Sequence, residues 1–391
     1  MQRLSYIFVS KASRVSVSSL LSILTPIYLT RLGYSSFDVG LALTAILAGN
    51  AFFNIILTWY GNVLGRKRAL LIFSLLLLVS GVLVSSSAYL PLILSGLFLG
   101  NISTTNTEAG PFQSIETGIL PVLVSEEKRN RAFGLYNFIG YGAASLGAFA
   151  ASAPDYFQDG LLVSRVLFLV YGLVGLSLLM IYRRLEGVET TERETRTERL
   201  RDVRPEARRD ITKLSVFYSV DAFGGSFVSQ FVLSYWFSLV YGVSLANLGL
   251  IFLAVNAVTA FSIFGASILA EKLGNLRTMV YTHLVSNGFL LLVPLAGSLT
   301  GALAFLFLRQ SMSQMDVPTR QAFMAELFTD QERVPANAIT NTSRSLSGTL
   351  GGPLTAVMFT VGASSLPILT GGFSKIVYDL LVFQSYRKKV H

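Results

Sequence analysis

Charged residues lie inside stretches that are otherwise apolar enough to cross a bilayer. A charge at the centre of a membrane helix costs at least about 2.5–3.5 kcal/mol, so such residues usually face the interior of a helix bundle and mark a pathway. Residues three, four or eight positions apart share one face of a helix. The candidate pairs with this spacing are Lys11 and Arg14, Glu108 and Glu116, and Asp316 and Arg320.

Two acidic residues are the first candidates for proton coupling. Glu108 is the preferred one, because a buried carboxylate can exchange its proton near neutral pH; the alternative is a salt bridge with Arg14 or another base. Asp221 precedes a Gly-Gly pair, which can break a helix and expose backbone beside the acid. We expect Asp221 to pair with Lys11 or Arg14 in one conformation, and a purely structural ion pair is the alternative.

Other polar residues are candidates for lining the same pathway, and packing is the alternative for each of them. Lys11 and Arg14 can instead mark a first helix that begins later, with both side chains extending to the membrane surface. Lys375 and Asp379, four residues apart, are expected to neutralise each other, and His283 is expected to be a hydrogen-bonded packing residue. The remaining lining candidates are Gln230, Tyr235, Trp236, Arg309, Asn341 and Arg344.

The composition is that of a chain whose surface faces lipid. Hydrophobic residues make up 52% of the chain and charged residues 14%, and the mean hydropathy is +0.58. A soluble chain has about 25% charged residues. Hydrocarbon offers no water to unpaired amides, so membrane segments must be helical. We predict an all-α membrane protein with twelve transmembrane helices, at 4–30, 37–61, 69–88, 90–122, 131–151, 161–182, 213–240, 245–269, 277–298, 300–326, 336–361 and 364–384.

The residue inventory excludes several classes of site and function. The chain has no cysteine and only two histidines, so we expect no metal site. It carries no G-x-x-x-x-G-K-[ST] phosphate loop and no catalytic constellation, so we expect no direct ATP drive, no cofactor and no enzymatic activity. The net charge is +9, but the basic residues lie at the ends of apolar stretches, which argues against nucleic-acid binding.

The basic residues also predict the orientation of the helices. If the N-terminus is cytoplasmic, most Lys and Arg residues fall in cytoplasmic loops, including 66–68, 128–131 and the segment 183–213. We therefore predict a multi-pass protein of the plasma membrane with both termini cytoplasmic. The first apolar segment is interpreted as a membrane helix rather than a removable signal. The charged linker 183–213 separates an N-terminal six-helix bundle, 1–182, from a C-terminal one, 214–391.

The two halves of the chain repeat each other. Gly33 aligns with Gly242, and Gly65 with Gly274, both at an offset of 209 (242 − 33 and 274 − 65). The segments SEEKRNRAFG and TDQERVPANA align at an offset of 204 (333 − 129). An internal repeat across a charged linker is typical of a transporter built from two related bundles, so the predicted fold is two pseudo-symmetric six-helix bundles.

The loop after the second helix resembles the signature G-x-x-x-D-R-x-G-R-K of the major facilitator superfamily. Residues 65–67 match it, whereas Asn62 stands where the family has aspartate and Thr58 where it has glycine. The second-half copy keeps an acid, a base and a glycine. The resemblance implies that these loops form a gate latch, and a simple anchor at the headgroups is the alternative. The residues concerned are Asn62, Gly65, Arg66, Lys67, Glu271, Lys272 and Gly274.

The resemblance implies a secondary active transporter that moves a small solute by alternating access as a monomer. The segment 309–321 is similar to a subgroup of uncharacterised bacterial and archaeal permeases, whereas the antiporter signature expected in the fifth helix is missing. The intramembrane acids and bases favour proton coupling and an organic anion or amphiphile as solute. A facilitated uniporter with structural charges is the alternative, and a non-transporting receptor or scaffold is a remote one. The expected partners are a small molecule, protons and the lipid bilayer.

Overall fold

The computed structural model describes residues 2–104, 110–125, 128–188 and 204–388. Within these residues the regular structure consists of sixteen α-helices and a short 3₁₀-helix at Ala153–Tyr156, with no β-strand. In chain order the α-helices are α1 (Gln2–Arg31), α2 (Ser36–Leu64), α3 (Arg66–Ser86), α4 (Leu90–Leu99), α5 (Pro111–Leu123), α6 (Arg129–Ala150), α7 (Gly160–Arg183), α8 (Pro205–Ser226), α9 (Gln230–Tyr241), α10 (Leu245–Leu273), α11 (Asn275–Leu292), α12 (Leu299–Gln310), α13 (Asp316–Leu327), α14 (Asp330–Thr349), α15 (Gly351–Thr360) and α16 (Leu366–Tyr386).

Many of these helices are long and apolar enough to cross a bilayer. Among the described residues, seven segments reach the required length and hydropathy. Two shorter helices, α4 and α12, are also apolar. The prediction of an all-α membrane protein is confirmed. The seven segments are Arg3–Arg31, Ser36–Gly61, Arg66–Ser86, Gly160–Arg183, Pro205–Tyr241, Leu245–Ser262 and Leu366–Tyr386.

Four of the predicted spans consist of two helices in succession. The pairs are α4 with α5, α8 with α9, α12 with α13, and α14 with α15. The continuous helices predicted at 300–326 and 336–361 are wrong, whereas the spans at 90–122 and 213–240 are interrupted near Pro111 and the Gly-Gly pair after Asp221, residues that favour a break. Between α4 and α5, Asn101 adopts a left-handed φ of 51°, and Pro111 excludes a helical conformation from the residue before it.

Two of the breaks lie at corresponding positions of the sequence repeat. Leu99, at the end of α4, is 211 residues before Gln310, at the end of α12 (310 − 99). Pro111, at the start of α5, is 205 residues before Asp316, at the start of α13 (316 − 111). Interrupted membrane helices at matching places in two repeats are typical of the solute-binding level of secondary transporters.

The repeated glycines have the same backbone conformation in both halves. Gly65 separates α2 from α3 with a φ of 80°, and Gly274 separates α10 from α11 with a φ of 81°. A side chain with a Cβ is disfavoured at such angles, so glycine is needed for the turn. The repeat therefore preserves a turn geometry as well as a residue type.

The chain forms two compact units. The first contains the described parts of 1–195 together with 229–256 and 352–362. Inside it, α3 packs along α7 and α1 packs along α6. The approach is close: a Cβ on Gly147 of α6 would lie 1.9 Å from the backbone oxygen of Ser16 on α1. Small residues permit such close packing of membrane helices.

The second unit contains the described parts of 196–228, 257–351 and 363–391. In this unit α8 packs against α14 and α16, and α11 packs against α12, α13 and α16. The shared core of this unit contains aliphatic and aromatic side chains, among them Leu214, Phe323 and Val382. Three buried tyrosines, Tyr218, Tyr378 and Tyr386, also belong to this core. The charged residues described below lie next to them.

Candidate functional site

Arg14 and Glu116 form a buried ion pair in the first unit. Arg14 Nη1 and Nη2 donate to the two carboxylate oxygens of Glu116 at 2.8 and 2.7 Å, and the side chains are 1% and 0% exposed. Tyr136 and Tyr182 donate to the same carboxylate at 2.8 and 2.7 Å. The guanidinium also stacks over the ring of Phe112 at 4.6 Å. The Glu116 carboxylate thus connects α1, α5, α6 and α7.

Lys11 is buried on the same helix as Arg14. Its side chain lies over the ring of Tyr136 at 4.6 Å, and the residue is 4% exposed. Helix α1 begins at Gln2, nine residues before Lys11. The alternative in which this helix begins later, with both bases extending to the membrane surface, is therefore wrong.

Two predicted site residues cannot be placed. Glu108, the preferred proton-coupling carboxylate, lies outside the described residues. Asn62 belongs to the described helix α2, but its side chain is not described. Their roles stay predictions.

Gln230 is the centre of a buried hydrogen-bond cluster in the first unit. Its Nε2 donates to the Ser19 carbonyl, to Ser19 Oγ and to Ser22 Oγ, at 3.0, 3.1 and 2.7 Å. Asn256 Nδ2 donates to Gln230 Oε1 at 3.3 Å and to the Ala144 carbonyl at 3.2 Å. Gln230 starts α9, directly after the break that follows α8, so the cluster holds that helix start against α1 and α6.

The two aromatic candidates beside Gln230 are also buried. Tyr235 donates to Ser36 Oγ at 2.9 Å and packs edge-on against Phe359. Trp236 is 1% exposed, and its Nε1 has no hydrogen-bond partner among the described residues. A buried indole N–H usually finds an acceptor, so this donor is an exception among the described residues.

Asp221 is the most highly connected carboxylate of the second unit. Lys375 Nζ lies 2.6 Å from its Oδ1, and Arg344 Nη1 and Arg320 Nη1 lie 3.2 and 3.6 Å from its Oδ2. These bases come from α16, α14 and α13, while Asp221 belongs to α8. One acid therefore holds three bases from three helices. The structure pairs Arg14 and Asp221 with partners other than the ones that we expected from the sequence.

Asp316 and Arg320 form the pair that their spacing predicts. Arg320 lies one turn after Asp316 on α13, and its Nη1 donates to Asp316 Oδ2 at 3.2 Å. Arg320 and Arg344 also lie near the face of Tyr218, at 5.6 and 5.8 Å. The side chain of Arg344 is 26% exposed, and Asn341, one turn earlier on α14, is exposed.

Arg309 is a buried base without a carboxylate partner among the described residues. It occupies the last turn of α12 and is 8% exposed. Its Nη1 donates to Gln310 Oε1 at 2.7 Å, and its buried Nε has no hydrogen-bond partner among the described groups. Residues 311–315 interrupt the helix between Arg309 and Asp316, so these two residues do not lie on one face of a continuous helix.

Sequence reasoning did not include His283, Asp379 and Lys375 among the site residues. His283 Nδ1 lies 2.7 Å from Asp379 Oδ1, and Asn287 Nδ2 donates to Asp379 Oδ2 at 3.1 Å. The predicted pairing of Lys375 with Asp379 is wrong, since Lys375 contacts Asp221 instead. A signal was present in the sequence: His283 and Asn287 share a helix face by spacing, and Asp379 lies within an apolar helix.

The two expected gate loops differ in exposure. Arg66 is partly buried and donates to the carbonyl of Val188 at 3.4 Å. Lys67 is also partly buried, whereas Glu271, Lys272 and Gly274 are exposed. The latch function of these residues is not tested by these positions.

A salt bridge outside the membrane spans connects the start of α8 to the start of α14. Arg204 donates to both carboxylate oxygens of Glu332, at 2.7 and 2.8 Å. This charge-assisted pair lowers the pKa of Glu332 from its ordinary 4.5 to about 2, and a hydrogen bond from the Thr329 backbone contributes. Glu332 in turn raises the pKa of Arg204.

No group of three metal-ligating side chains occurs in the described part of the chain.

The whole chain can be compared with known proteins by sequence. A sequence profile of the Major Facilitator Superfamily matches residues 7–352. The chain belongs to the Major Facilitator Superfamily. The resemblance inferred from the loop motifs is confirmed, and membership of this family supports membrane transport as the function of the chain.

Individual relatives of this facilitator are distant. It is 25% identical over 392 residues to the uncharacterized membrane protein YJR124C of Saccharomyces cerevisiae, covering 91% of this chain and 88% of the yeast protein. Among solved structures, a D-xylose-proton symporter superposes with a TM-score of 0.74 at 14% identity, covering 98% of this chain and 96% of that chain. The human organic anion transporter MFSD10 (TETRAN) superposes with a TM-score of 0.67 at 16% identity, covering 97% and 99%. These structures share the fold with this chain.

Proposed function

We propose that this facilitator is a secondary active transporter that couples movement of a small solute to protons by alternating access. The observation that carries the proposal is the arrangement around Asp221, whose buried carboxylate holds Lys375, Arg344 and Arg320. Removing one partner of a buried ion pair leaves an uncompensated charge, which costs about 3–5 kcal/mol. Protonation of Asp221 would therefore strongly favour binding of another anion next to its three bases.

The bases that protonation leaves without an anion link proton binding to solute binding. When Asp221 is ionised, its three bases are satisfied and the cluster is stable without solute. When Asp221 is protonated, a carboxylate or a similar group on the solute can replace it as the counterion. Coupling then needs no covalent step, because solute and ionised Asp221 compete for the same cations.

The solute class that fits the described residues is a small organic anion or amphiphile. Arg309 is a buried cation with no carboxylate partner among the described residues, and a guanidinium recognises carboxylate and phosphate groups by paired hydrogen bonds. We assign the other candidate residues named from the sequence to the same pathway.

The proposal includes the orientation and location of the transporter. Both termini are placed in the cytoplasm of a plasma-membrane protein, because basic residues concentrate in the corresponding loops. The loops at 62–67 and 271–274 act as gate latches in this proposal, and the protein works as a monomer. Protease protection of tags at the two termini in intact cells tests the orientation directly.

Transport is tested with purified protein in liposomes. A panel of labelled carboxylates, organic phosphates, amphiphilic anions and neutral sugars is offered with and without an imposed pH gradient. We expect one class of anion to accumulate only when the gradient is present. Accumulation of no compound against its gradient, together with equilibration that ignores pH, would select the facilitated uniporter and overturn the coupling.

Variants of Asp221 make the test specific. Asp221→Asn is expected to abolish gradient-driven accumulation while exchange of solute across the membrane continues, because the site still binds solute. The matched control is Asp159→Asn, an exposed acid that accepts a hydrogen bond from Leu162 N at 2.9 Å at the start of α7. Asparagine retains that capping role, so the control should accumulate solute normally. Unchanged accumulation by Asp221→Asn would contradict the proposal.

A further inference from the structure

His283, Asp379 and Asn287 form a compact polar group in the second unit. Asp379 is fully buried, and its two carboxylate oxygens are 2.7 Å from His283 Nδ1 and 3.1 Å from Asn287 Nδ2. His283 and Asn287 both lie on α11, one turn apart, whereas Asp379 lies on α16. Asn287 fixes one oxygen of the carboxylate, which leaves the other oxygen directed at the imidazole.

The second nitrogen of His283 faces the Asp221 cluster. His283 Nε2 lies 3.9 Å from Asp221 Oδ1, the oxygen that also accepts a hydrogen bond from Lys375 at 2.6 Å. The imidazole therefore lies between two carboxylates, one fully buried and one surrounded by bases. A histidine in this position can change its charge within the physiological pH range.

We propose that the His283–Asp379 pair is a second proton-binding site of this transporter, besides Asp221, and that its charge acts on Asp221. The inference rests on the proposed proton coupling and names a second group that takes up a proton. In the resting form, ionised Asp379 accepts from His283 Nδ1–H, and Nε2 carries a lone pair. Uptake of one proton places N–H on Nε2 and makes the imidazole a cation, with no bond broken elsewhere.

The charged and titratable neighbours of His283 determine how its protonation changes the local charge. Helix α16 contributes Lys375 and Tyr378 besides Asp379, α8 contributes Asp221, α13 contributes Asp316, and α12 contributes Arg309, whose carbonyl accepts from Ser286. With neutral His283, the bases Lys375, Arg344 and Arg320 balance the acids Asp221, Asp316 and Asp379, and Arg309 adds one positive charge. A protonated His283 raises the net positive charge of this group by one more.

The extra charge weakens the hold of Asp221 on its other partners. A cationic Nε2 attracts Asp221 Oδ1 and competes with Lys375 for the same oxygen. An additional cation beside this cluster also favours binding of an anion. Protonation of His283 on α11 thus favours binding of an anion beside Asp221 and its three bases. These four residues lie on α8, α13, α14 and α16.

The exposure of the cluster gives the proton a route. The side chain of Arg344 is 26% exposed, Arg320 17% and Lys375 12%, whereas His283 is 5% exposed and Asp379 0%. Polar groups therefore lead from an accessible edge to the buried pair. Lys375, which is partly exposed, contacts the Asp221 carboxylate at 2.6 Å, and that carboxylate lies 3.9 Å from His283 Nε2.

The first test observes the proton directly and needs no solute. The chain contains two histidines, His283 and His391, so protein labelled with nitrogen-15 in histidine gives two imidazole spectra. His283→Gln assigns them, and His391→Gln is the matched control. We expect the His283 signals to change reversibly between the neutral and doubly protonated forms at about pH 5–8. We also expect Asp379→Asn to reduce the doubly protonated fraction at a given pH.

The second test measures coupling in liposomes with an anion that the wild-type protein accumulates. His283→Gln and Asp379→Asn should lose gradient-driven accumulation and retain exchange, whereas His391→Gln should behave as wild type. A His283 imidazole that stays in one form throughout this pH range, in a wild-type protein that does accumulate anion, overturns the inference alone. A wild-type protein that ignores the gradient while His283 titrates overturns the coupling of the proposed function and leaves the proton site standing.

Discussion

Arg14 and Glu116 pair through two hydrogen bonds between α1 and α5, and both side chains are fully enclosed. The carboxylate accepts two further hydrogen bonds from Tyr136 and Tyr182. Because all these partners are buried, loss of one group leaves the others without a counterpart in a medium of low dielectric constant. Substitution of either member of the pair is therefore expected to be costly.

Glu116→Gln is expected to destabilise the protein by about 3–5 kcal/mol, because it leaves the Arg14 guanidinium buried without an anion. Tyr182→Phe removes one hydrogen bond to a charged group and is expected to cost less, about 1.5–3 kcal/mol. Thermal unfolding in detergent measures both effects. An effect of Tyr182→Phe as large as that of Glu116→Gln would contradict this ordering.

In the second unit, Asp221→Asn should also destabilise the protein, since Lys375, Arg344 and Arg320 lose their shared anion. Adding Lys375→Met to that variant removes one of the unpaired bases. We expect the double variant to regain at least about 1 kcal/mol of the loss, because replacing a buried pair by apolar groups is often neutral or stabilising. A double variant no more stable than Asp221→Asn would show that the two charges do not act together.

The Arg204–Glu332 salt bridge predicts an acid-sensitive contribution to stability. The pKa of Glu332 is lowered to about 2 from an ordinary 4.5, so the carboxylate binds fewer protons in the folded chain than in the unfolded chain. Its contribution is complete above about pH 4.5 and is lost as the pH falls towards 2. Melting temperatures of the wild type and Glu332→Gln should converge across this range.

Arg204→Gln should remove the same acid-dependent contribution, because Arg204 is the main cause of the lowered pKa. Arg209→Gln, an exposed base on the same helix, is the control and should keep the wild-type dependence. A wild-type protein whose advantage over Glu332→Gln is the same at pH 2 and pH 6 would contradict this assignment.

Arg309→Gln is expected to weaken binding of an accumulated anion by at least about tenfold, which corresponds to about 1.4 kcal/mol. The expected cause is loss of a charge-assisted, paired hydrogen bond to the solute. Arg309→Lys should recover part of the loss, since lysine keeps the charge but lacks the planar pair of donors. Arg277→Gln, an exposed base on α11, should not change affinity. Equilibrium binding of labelled solute to detergent-solubilised protein measures each value.

Binding that survives Arg309→Gln but fails in Glu108→Gln would reverse the interpretation. Arg309 would then be paired with a carboxylate outside the described residues, and Glu108 would carry the solute or proton function predicted from the sequence.

Gly274→Ala isolates the backbone requirement of the repeated turn. A Cβ at Gly274 would meet nothing within 4 Å, so the expected cost of about 1–2 kcal/mol arises from its φ of 81° alone. Gly288→Ala is the matched control, because a Cβ there also meets nothing within 4 Å but the backbone is helical. We expect this control to stabilise the protein by about 0.4–1 kcal/mol. Thermal unfolding of the two variants should therefore change in opposite directions.

Patterns that depend on local spacing predicted the fold and part of the site. Apolar length, the Gly65 and Gly274 turns and the Asp316–Arg320 pair follow from residues close together in the chain. The partners of Arg14, Asp221 and Asp379 could not be predicted in the same way. Each is more than 60 residues distant in sequence, and the choice among several buried acids and bases is made by helix packing.

Helix breaks were the other feature that sequence reasoning missed in detail. The Gly-Gly pair after Asp221 correctly drew attention to the helix, but the helix ends at Ser226, after the glycines. In the span at 90–122 Pro111 predicts a kink or break, whereas the span at 300–326 contains enough apolar residues to appear continuous. Their interruption depends on Asn101 and on a turn at 311–315, where polar side chains and tertiary contacts outweigh hydrophobic pattern.

The interruption after Gln310 has an electrostatic consequence for Arg309. Helix α12 ends at Gln310, and the turn that follows caps its last carbonyl groups, with Ser311 N donating to Phe307 O and Ser313 N to Arg309 O. The negative end of the helix dipole therefore lies next to the guanidinium. That dipole stabilises the cation without using its N–H donors, which a carboxylate would occupy. A base at a helix end can thus stay charged in an apolar setting and still offer its hydrogen bonds to a visiting anion. In an unbroken helix the same arginine would need a permanent counterion. Fewer of its N–H donors could then bind a solute.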